Sequence, residues 1–80
     1  MHMFTVYAIR SEKDGRIYVG FTMDLNKRLN DHNSGKTSST KGYRPWKLMY
    51  SEYKETRLEA REREKYLKSG IGKEFLKSLY

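Results

Sequence analysis

Residues 4–21 read FTVYAIRSEKDGRIYVGF and contain two strand-like runs separated by a turn. The runs 4–10 and 16–21 are rich in β-branched and aromatic residues, which favours strands. Residues 11–15 between them, Ser-Glu-Lys-Asp-Gly, have the chemistry of a turn. The stretch therefore predicts a β-hairpin. Its loop is too long to fix the register, so the neighbours that Tyr7 and Tyr18 face stay open.

A helical pattern follows from Asp24 to His32. Thr22 or Asp24 can cap its start, and Gly35 can end it. Leu25 and Leu29 mark the face that turns inward, and helical spacing places Arg28 and His32 on or beside that same face. Charged residues are seldom buried without a partner, so a pocket rather than a plain core is expected here.

The rest of the chain continues the alternation of strand and helix. A basic loop at 34–44, closed by Pro45, is followed by a predicted strand at 46–53. The capping box Thr56-Arg57-Leu58-Glu59 then opens a predicted helix at 56–69. Gly70 and Gly72 break the pattern, and a short last helix is predicted at 73–80. Trp46 is expected in the core, whereas Tyr43 and Tyr50 could pack or stack on bases. The pattern predicts one domain over residues 1–80.

Glu64 stands out among the acidic residues of the second long helix. Ala60 and Leu67 are seven residues apart and share a face, and Glu64 falls between them on that face. It is therefore predicted to point inward. One interpretation is an ion pair, for example with Arg28, and the other is a functional carboxylate.

Composition limits the function. The chain has 80 residues, no cysteine and a formal charge of +7, and its longest apolar runs are only a few residues. Disulfides, thiolate metal sites and a membrane span are thereby excluded, and a cytoplasmic protein is favoured. The excess of cations, interleaved with aromatic residues, favours a nucleic-acid partner, although a solvated basic surface would have the same composition. The candidate nucleic-acid-binding residues are Lys36, Lys41, Arg44 and Lys47.

Taken together, the motifs resemble the GIY-YIG nuclease family. Thr5-Val6-Tyr7 stands for the first motif, Tyr18-Val19-Gly20 for the second, and Glu59-Ala60-x-x-x-Glu64-Lys65-x-Leu67-Lys68 for the metal-binding helix. The matching positions between them include Thr22, Asp24, Arg28, His32 and Gly35. The resemblance covers almost the whole chain and is closest to small single-domain bacterial proteins related to the N-terminal nuclease domain of the excision-repair incision subunit.

The resemblance implies a three-stranded antiparallel sheet flanked by about three helices, an α+β fold of order β-β-α-β-α-α. It also implies a metal-dependent endonuclease that hydrolyses phosphodiester bonds in nucleic acid, with DNA the expected substrate and DNA repair the context of its relatives. Tyr7 or Tyr18 would be the general base, Arg28 would stabilise phosphate charge, His32 would occupy the family's His/Tyr position, and Glu64 would hold one Mg²⁺ or Mn²⁺.

The chain departs from the family pattern at three places. Thr5 replaces the glycine of the first motif, Phe21 stands where some members have a lysine, and the C-terminal segment lacks an asparagine that several members carry. The alternative function is therefore a nucleic-acid-binding module with little or no catalysis on the same scaffold. A protein-interaction domain with a basic docking face is a third reading.

Overall fold

The computed structural model describes residues 3–79. Its elements are β1 (Phe4–Ser11), β2 (Ile17–Thr22), α1 (Leu25–Ser34), α2 (Ser38–Lys41), β3 (Trp46–Lys54), α3 (Arg57–Lys68) and α4 (Gly70–Lys77). The predicted α+β class and the order of the main elements are confirmed, with four helices instead of about three.

The three strands form one antiparallel sheet in the order β2-β1-β3. β1 is the central strand, and this explains why all but one of its residues are buried. The register that the sequence left open pairs Tyr7 with Gly20 of β2 and with Ser51 of β3. An irregularity between Ala8 and Ile9 shifts the pairing with β3 beyond that point.

One face of the sheet is an apolar core. Because side chains alternate along a strand, Phe4, Val6 and Ala8 of β1 share a face. They pack with Val19 of β2 and with the inward residues of the two last helices, which are Ala60, Leu67 and Leu76. The predicted inward face of α3 is therefore the contact that holds α3 and α4 on the sheet.

The other face carries a mixed, partly polar layer. Tyr7 and Ile9 of β1 pack there with Trp46, and Tyr18, Leu25, Leu29 and Tyr43 lie against them. Trp46 is only 4% exposed, which confirms its predicted place in the core. This face is covered by α1 and α2, and it contains the polar residues described in the next subsection.

The caps of the two long helices largely follow the sequence. Asp24 caps α1 by accepting a hydrogen bond from the Lys27 backbone, which decides between the two candidates, and Gly35 ends the helix at φ 87°. The capping box of Thr56 and Glu59 is present at the start of α3.

Two predictions in less regular regions were wrong. The last helix begins at Gly70, not at residue 73, because the Ser69 side chain caps it and the glycines form its first turn. The segment 34–44 is not all loop, since Ser38–Lys41 form α2. A helix of four residues has too few positions to show a periodic pattern.

Candidate active site

Tyr7 lies at the centre of the site. It is 1% exposed, and its hydroxyl is 2.9 Å from Nε2 of His32. The hydroxyl reaches across β2 at Gly20, where a Cβ atom would lie 2.8 Å from the Tyr7 oxygen. Such a contact is too close for any larger residue. The glycine of the second motif therefore makes room for the tyrosine of the first.

His32 connects Tyr7 to the short helix α2. Its side chain is fully buried in the last turn of α1, and its Nδ1 is 2.9 Å from Oγ1 of Thr40. The Thr40 hydroxyl in turn donates to the carbonyl oxygen of Thr37 at 3.3 Å. Three buried side chains from β1, α1 and α2 thus form one continuous line of hydrogen bonds, which we call the Tyr7–His32–Thr40 chain.

Trp46 and Asn33 hold this chain in place. The Trp46 indole Nε1 donates to the Thr40 carbonyl at 2.9 Å, and the Asn33 side chain forms hydrogen bonds with both the backbone N–H and the carbonyl of Trp46. Sequence reasoning missed Thr40 and Asn33. Thr37 before Ser38-Ser39-Thr40 has the character of a helix N-cap, which was the only local signal of α2.

Arg28 and Tyr18 complete the surroundings of the Tyr7 hydroxyl. The Arg28 guanidinium lies beside the hydroxyls of Tyr7 and Tyr18 and is half-buried. The Tyr18 ring meets the His32 ring edge-on, with ring centroids 4.9 Å apart. The structure therefore brings together four of the five predicted catalytic residues, namely Tyr7, Tyr18, Arg28 and His32.

Burial sets the protonation states of this group. Burial raises the pKa of Tyr7 to about 12, against the opposing effect of Arg28, while the charges of Tyr18 and Glu64 add to the rise. Burial also lowers the pKa of His32, and the Arg28 charge lowers it further. At neutral pH the resting site consequently holds a protonated tyrosine beside a neutral imidazole.

Glu64 approaches the site from α3. Its side chain is 21% exposed and lies 3.5 Å from the Lys68 ammonium, one turn along the helix. The ion pair with Arg28 that the sequence suggested is not formed, because Arg28 is directed to the tyrosines. Glu64 acts on Tyr7 through its charge, as the smallest of the effects on that pKa.

The carboxylate of Glu64 fits a hard divalent cation. It is an oxygen donor with partial access to solvent, and its ion pair with Lys68 is long. Mg²⁺ is commonly bound by one or two carboxylates, with water and phosphate oxygens completing its coordination. Within residues 3–79 no group of three or more His, Asp or Glu converges, so a metal here would depend on this single carboxylate and on the substrate.

The four candidate nucleic-acid-binding cations fall into two places. Lys36, Lys41 and Arg44 surround the C-terminal end of α1 and α2, where the Arg44 guanidinium covers Gly35 and Arg44 Nε donates to the Lys41 carbonyl. In the strand register Lys47 of β3 stands opposite Arg10 of β1. It lines a groove with Met49 and Leu79 on the other side of the sheet. The structure therefore separates Lys47 from the other three.

Two further cations, which sequence reasoning missed, lie near the α2 group. The Arg16 guanidinium stacks on the Tyr43 ring at 3.4 Å from its centroid, and it also forms a 2.8 Å ion pair with Asp14. The Lys13 ammonium donates to the carbonyl of Gly42 at 3.2 Å. The hairpin loop and the α2 segment thus form one basic surface, made by Lys13, Arg16, Lys36, Lys41 and Arg44, which we call the α2 surface.

The helices of residues 3–79 are too short and too polar for any of them to cross a bilayer.

Comparison with curated proteins finds relatives of similar size. The chain is 42% identical over 64 residues to a UPF0213 protein of Clostridium perfringens, covering 79% of this chain and 68% of that protein. It is 44% identical over 68 residues to a UPF0213 protein of Bacillus pumilus, covering 84% and 67% respectively. A UPF0213 protein of Staphylococcus saprophyticus is 38% identical over 65 residues, covering 80% and 78%.

A solved structure and a family model agree with these relatives. The solution NMR structure of a UPF0213 protein from Bacillus halodurans matches with a TM-score of 0.58 and 34% identity, covering 96% of this chain and 84% of that one. The model of the GIY-YIG catalytic domain matches residues 3–75. With its motif tyrosines, arginine and histidine gathered at one place on the sheet, the chain belongs to the GIY-YIG catalytic domain family.

Proposed function

We propose that this protein is a divalent-metal-dependent endonuclease that hydrolyses phosphodiester bonds in nucleic acid, with DNA the expected substrate and the cytoplasm the expected location. The observation that carries the proposal is the 2.9 Å contact between the Tyr7 hydroxyl and Nε2 of the buried His32, beside the Arg28 guanidinium. A buried tyrosine hydroxyl needs a hydrogen-bond partner in any role. Here the partner is an imidazole that can take up a proton, and a cation lies next to the hydroxyl, which suits a general base.

Tyr7 is assigned as the general base in preference to Tyr18. A tyrosine with a pKa of about 12 is protonated at neutral pH and can accept a proton from water only while it loses its own. Nε2 of His32 is placed to take that proton. The proton of the attacking water passes to the Tyr7 oxygen, the Tyr7 proton passes to Nε2, and the new hydroxide oxygen bonds to phosphorus as the bond to the leaving oxygen breaks.

Arg28 has two tasks in this proposal. In the resting site its charge lies beside the Tyr7 hydroxyl and opposes the effect of burial on the Tyr7 pKa. With substrate bound, its planar fork of donors can meet the non-bridging phosphate oxygens, which gain charge as the reaction proceeds. Rotation of Arg28 toward the phosphate would also uncover the Tyr7 hydroxyl to the attacking water.

Glu64 is proposed to hold one Mg²⁺ or Mn²⁺. A divalent ion bound there would stabilise negative charge on the leaving oxygen. The Lys68 ammonium has to leave the carboxylate before a cation can bind, and its 3.5 Å separation and exposed position make this exchange inexpensive.

Nucleic acid is proposed to lie along the α2 surface. Several of its cations come from the same segment that supplies Thr40, so a backbone that follows them lies on the side of the sheet that is covered by α1 and α2, where the site is. Lys36 is weakly paired with Asp31 at 3.8 Å, and this pair can open to a phosphate at small cost. Lys47 is retained as a separate candidate contact on the opposite side of the sheet.

A second candidate function is a binding module without catalysis. It is favoured by the ion pair of Glu64 with Lys68, which fills the proposed metal ligand with a cation of the chain itself. Binding through lysines and arginines weakens with salt but needs no divalent ion, whereas hydrolysis stops when a chelator is added. Metal dependence therefore separates the two functions.

The test uses labelled single-stranded, duplex, nicked and branched DNA, and RNA, each with Mg²⁺, Mn²⁺ or a chelator. We expect cleavage of at least one substrate that depends on the metal and is lost in Glu64→Gln. Glu62→Gln is the matched control, because Glu62 is exposed on the same helix. This variant should cleave at the parental rate. Metal-independent binding with no cleavage of any substrate, or equal rates for Glu64→Gln and the parent, would refute the proposal.

Arg28→Lys provides a second, independent arm of the same experiment. Lysine keeps the charge but loses the planar two-donor geometry, so single-turnover cleavage should fall by about 10²- to 10³-fold, on the scale of losing one oxyanion donor. Affinity for the nucleic acid should change far less. Cleavage at the parental rate by a normally folded Arg28→Lys protein would remove Arg28 from the reaction.

A further inference from the structure

Thr40 is the last side chain of the Tyr7–His32–Thr40 chain. Thr40 is fully buried, although its helix α2 has only four residues and lies between exposed neighbours. Its hydroxyl forms two contacts, with His32 Nδ1 at 2.9 Å and with the Thr37 carbonyl at 3.3 Å. The Thr40 hydroxyl is thus the hydrogen-bond partner of the buried Nδ1 of His32.

The donors and acceptors of the chain can be assigned from chemistry. In the structure the Thr40 hydroxyl donates its single proton to the Thr37 carbonyl, which can only accept. Oγ1 of Thr40 is then an acceptor toward His32, and Nδ1 must carry the imidazole proton. The remaining nitrogen, Nε2, is unprotonated and accepts from the Tyr7 hydroxyl.

The contacts at the other end of the chain are compatible with the same assignment. A guanidinium has donors and no acceptor, and Arg28 lies beside the Tyr7 oxygen. The Tyr7 oxygen therefore faces a donor on that side, and its own proton is free to be donated to His32. The Thr40 end assigns the hydrogen of His32 to Nδ1, and the Arg28 end agrees with that assignment.

We propose that Thr40 is a positioning residue that fixes His32 in its Nδ1–H tautomer, so that Nε2 stands ready to receive the Tyr7 proton. The assignment rests on the proposed function, because a tautomer matters for catalysis only if His32 takes that proton. Thr40 itself touches neither substrate nor reacting atoms. It acts by holding the imidazole in one tautomer and one orientation.

The rest of the fold supports this role by fixing Thr40. The Trp46 indole donates to the Thr40 carbonyl at 2.9 Å, and the Tyr43 backbone N–H donates to that same carbonyl at 3.1 Å. The residue is thus held from β3 and from the segment after α2. Its side chain has little freedom to release His32 Nδ1.

The experiment measures the tautomer directly. The ¹⁵N chemical shifts of the two ring nitrogens of His32 differ strongly between a protonated and an unprotonated nitrogen, and the His32→Gln protein identifies the His32 signals. We expect the parent at pH 8 to hold the proton on Nδ1. Thr40→Val, which keeps the shape but loses the hydroxyl, should shift the population toward Nε2–H, and Thr40→Ser should restore the parental spectrum.

Single-turnover cleavage by the same proteins supplies the functional readout. The rate of Thr40→Val should fall by about 10-fold or more with little change in affinity, as expected when a proton acceptor is partly in the wrong tautomer. Thr40→Ser should recover most of the rate. Ser39→Ala, on the exposed side of the same helix, is the matched control and should match the parent in both measurements.

Each outcome is informative. An Nε2–H tautomer in the parent, or a Thr40→Val spectrum identical to it, overturns the assignment whatever the activity. Loss of rate in Thr40→Val that Thr40→Ser does not recover, with an unchanged tautomer, indicates a purely structural role and also overturns it. If the parent shows the Nδ1–H tautomer and Thr40→Val shifts it, but no substrate is cleaved by any protein, the tautomer assignment stands while the proposed nuclease function fails.

Discussion

The two faces of the sheet are built in opposite ways. The face under α3 and α4 buries aliphatic and aromatic side chains such as Val6, Ala8 and Leu67, and its contacts are apolar. The face under α1 and α2 buries Tyr7, His32 and Thr40, each with a hydrogen-bond partner. On the central strand the two faces alternate, with Val6 and Ala8 on the first and Tyr7 between them on the second.

This difference separates stability from function within one strand. Apolar burial on the α3 side gains free energy without requiring precise partners. A buried polar side chain gains little net stability from its hydrogen bond and costs more if the partner is lost. The Tyr7–His32–Thr40 chain therefore depends on partners of fixed geometry, which the apolar face does not need.

The largest effect should come from Tyr7→Phe, which keeps the ring and removes the hydroxyl. If Tyr7 is the general base, single-turnover cleavage should fall by about 10²- to 10⁴-fold, while the free energy of unfolding falls by only about 1 kcal/mol. Tyr18→Phe is the counterpart, and its rate loss should be clearly smaller. If Tyr18→Phe loses more of the cleavage rate than Tyr7→Phe, Tyr18 is the general base and Tyr7 is not.

Leu67→Ala should show the reverse behaviour on the opposite face. Leu67 is fully buried against the sheet, so its truncation should cost about 2–5 kcal/mol in the free energy of unfolding. Cleavage per folded molecule should stay near the parental rate at a temperature where the variant is folded. Denaturant unfolding and single-turnover cleavage on one preparation test both statements. A catalytic loss as large as that of Tyr7→Phe would contradict the assignment of stability to one face of the sheet and catalysis to the other.

A smaller effect is expected on the pH dependence of stability. Because the pKa of His32 is lowered in the folded state, the unfolded chain takes up this proton first, at about pH 6.5. Stability should therefore fall as pH decreases through about 6.5, with a slope of at most about 1.4 kcal/mol per pH unit from this group.

Unfolding curves of the parent and of His32→Gln between pH 5 and 8 test this. The variant should lack that part of the slope. Carboxylates of lowered pKa, such as Asp31, also destabilise the fold on acidification, but they do so at lower pH. Parallel curves for the two proteins across this range would show that the buried histidine is not held neutral.

The smallest effect concerns the α2 surface. Binding to duplex DNA should weaken with salt, with a log–log slope of about −0.9 per phosphate contact. Replacing Lys41 and Arg44 together by alanine should make that slope shallower by about one to two units. Lys47→Ala tests the opposite side of the sheet in the same titration. If Lys47→Ala makes the salt slope shallower and the Lys41 and Arg44 double variant does not, the nucleic acid lies beside α4.

The regular elements could be predicted because their patterns are local. The hairpin strands, α1 and α3 show alternation or helical periodicity together with identifiable caps, and the structure has them within a few residues of the predicted bounds. The motif residues were found for a different reason, namely their order and spacing along almost the whole chain.

Local patterns and motif spacing could not predict the role of Thr40 or the separation of Lys47 from the α2 surface. The place of Thr40 is decided by tertiary hydrogen bonds from Trp46 and His32, which leave no mark in the four residues of α2. Lys47 is close to Arg44 in sequence, but the direction of its side chain depends on the register beyond Ala8 and Ile9, where the pairing with β3 is irregular. Neither long-range bonding nor such an irregularity is visible in composition or spacing.

In the proposed mechanism Tyr7 and His32 act as one unit that moves a proton away from the attacking water. A double-mutant cycle of single-turnover cleavage with Tyr7→Phe, His32→Gln and the double variant tests it most directly. Groups that act as a unit have non-additive effects, so the double variant should cleave about as slowly as the slower single variant. If the two rate losses multiply in the double variant, Tyr7 and His32 act independently, which contradicts the proposed proton transfer from Tyr7 to His32.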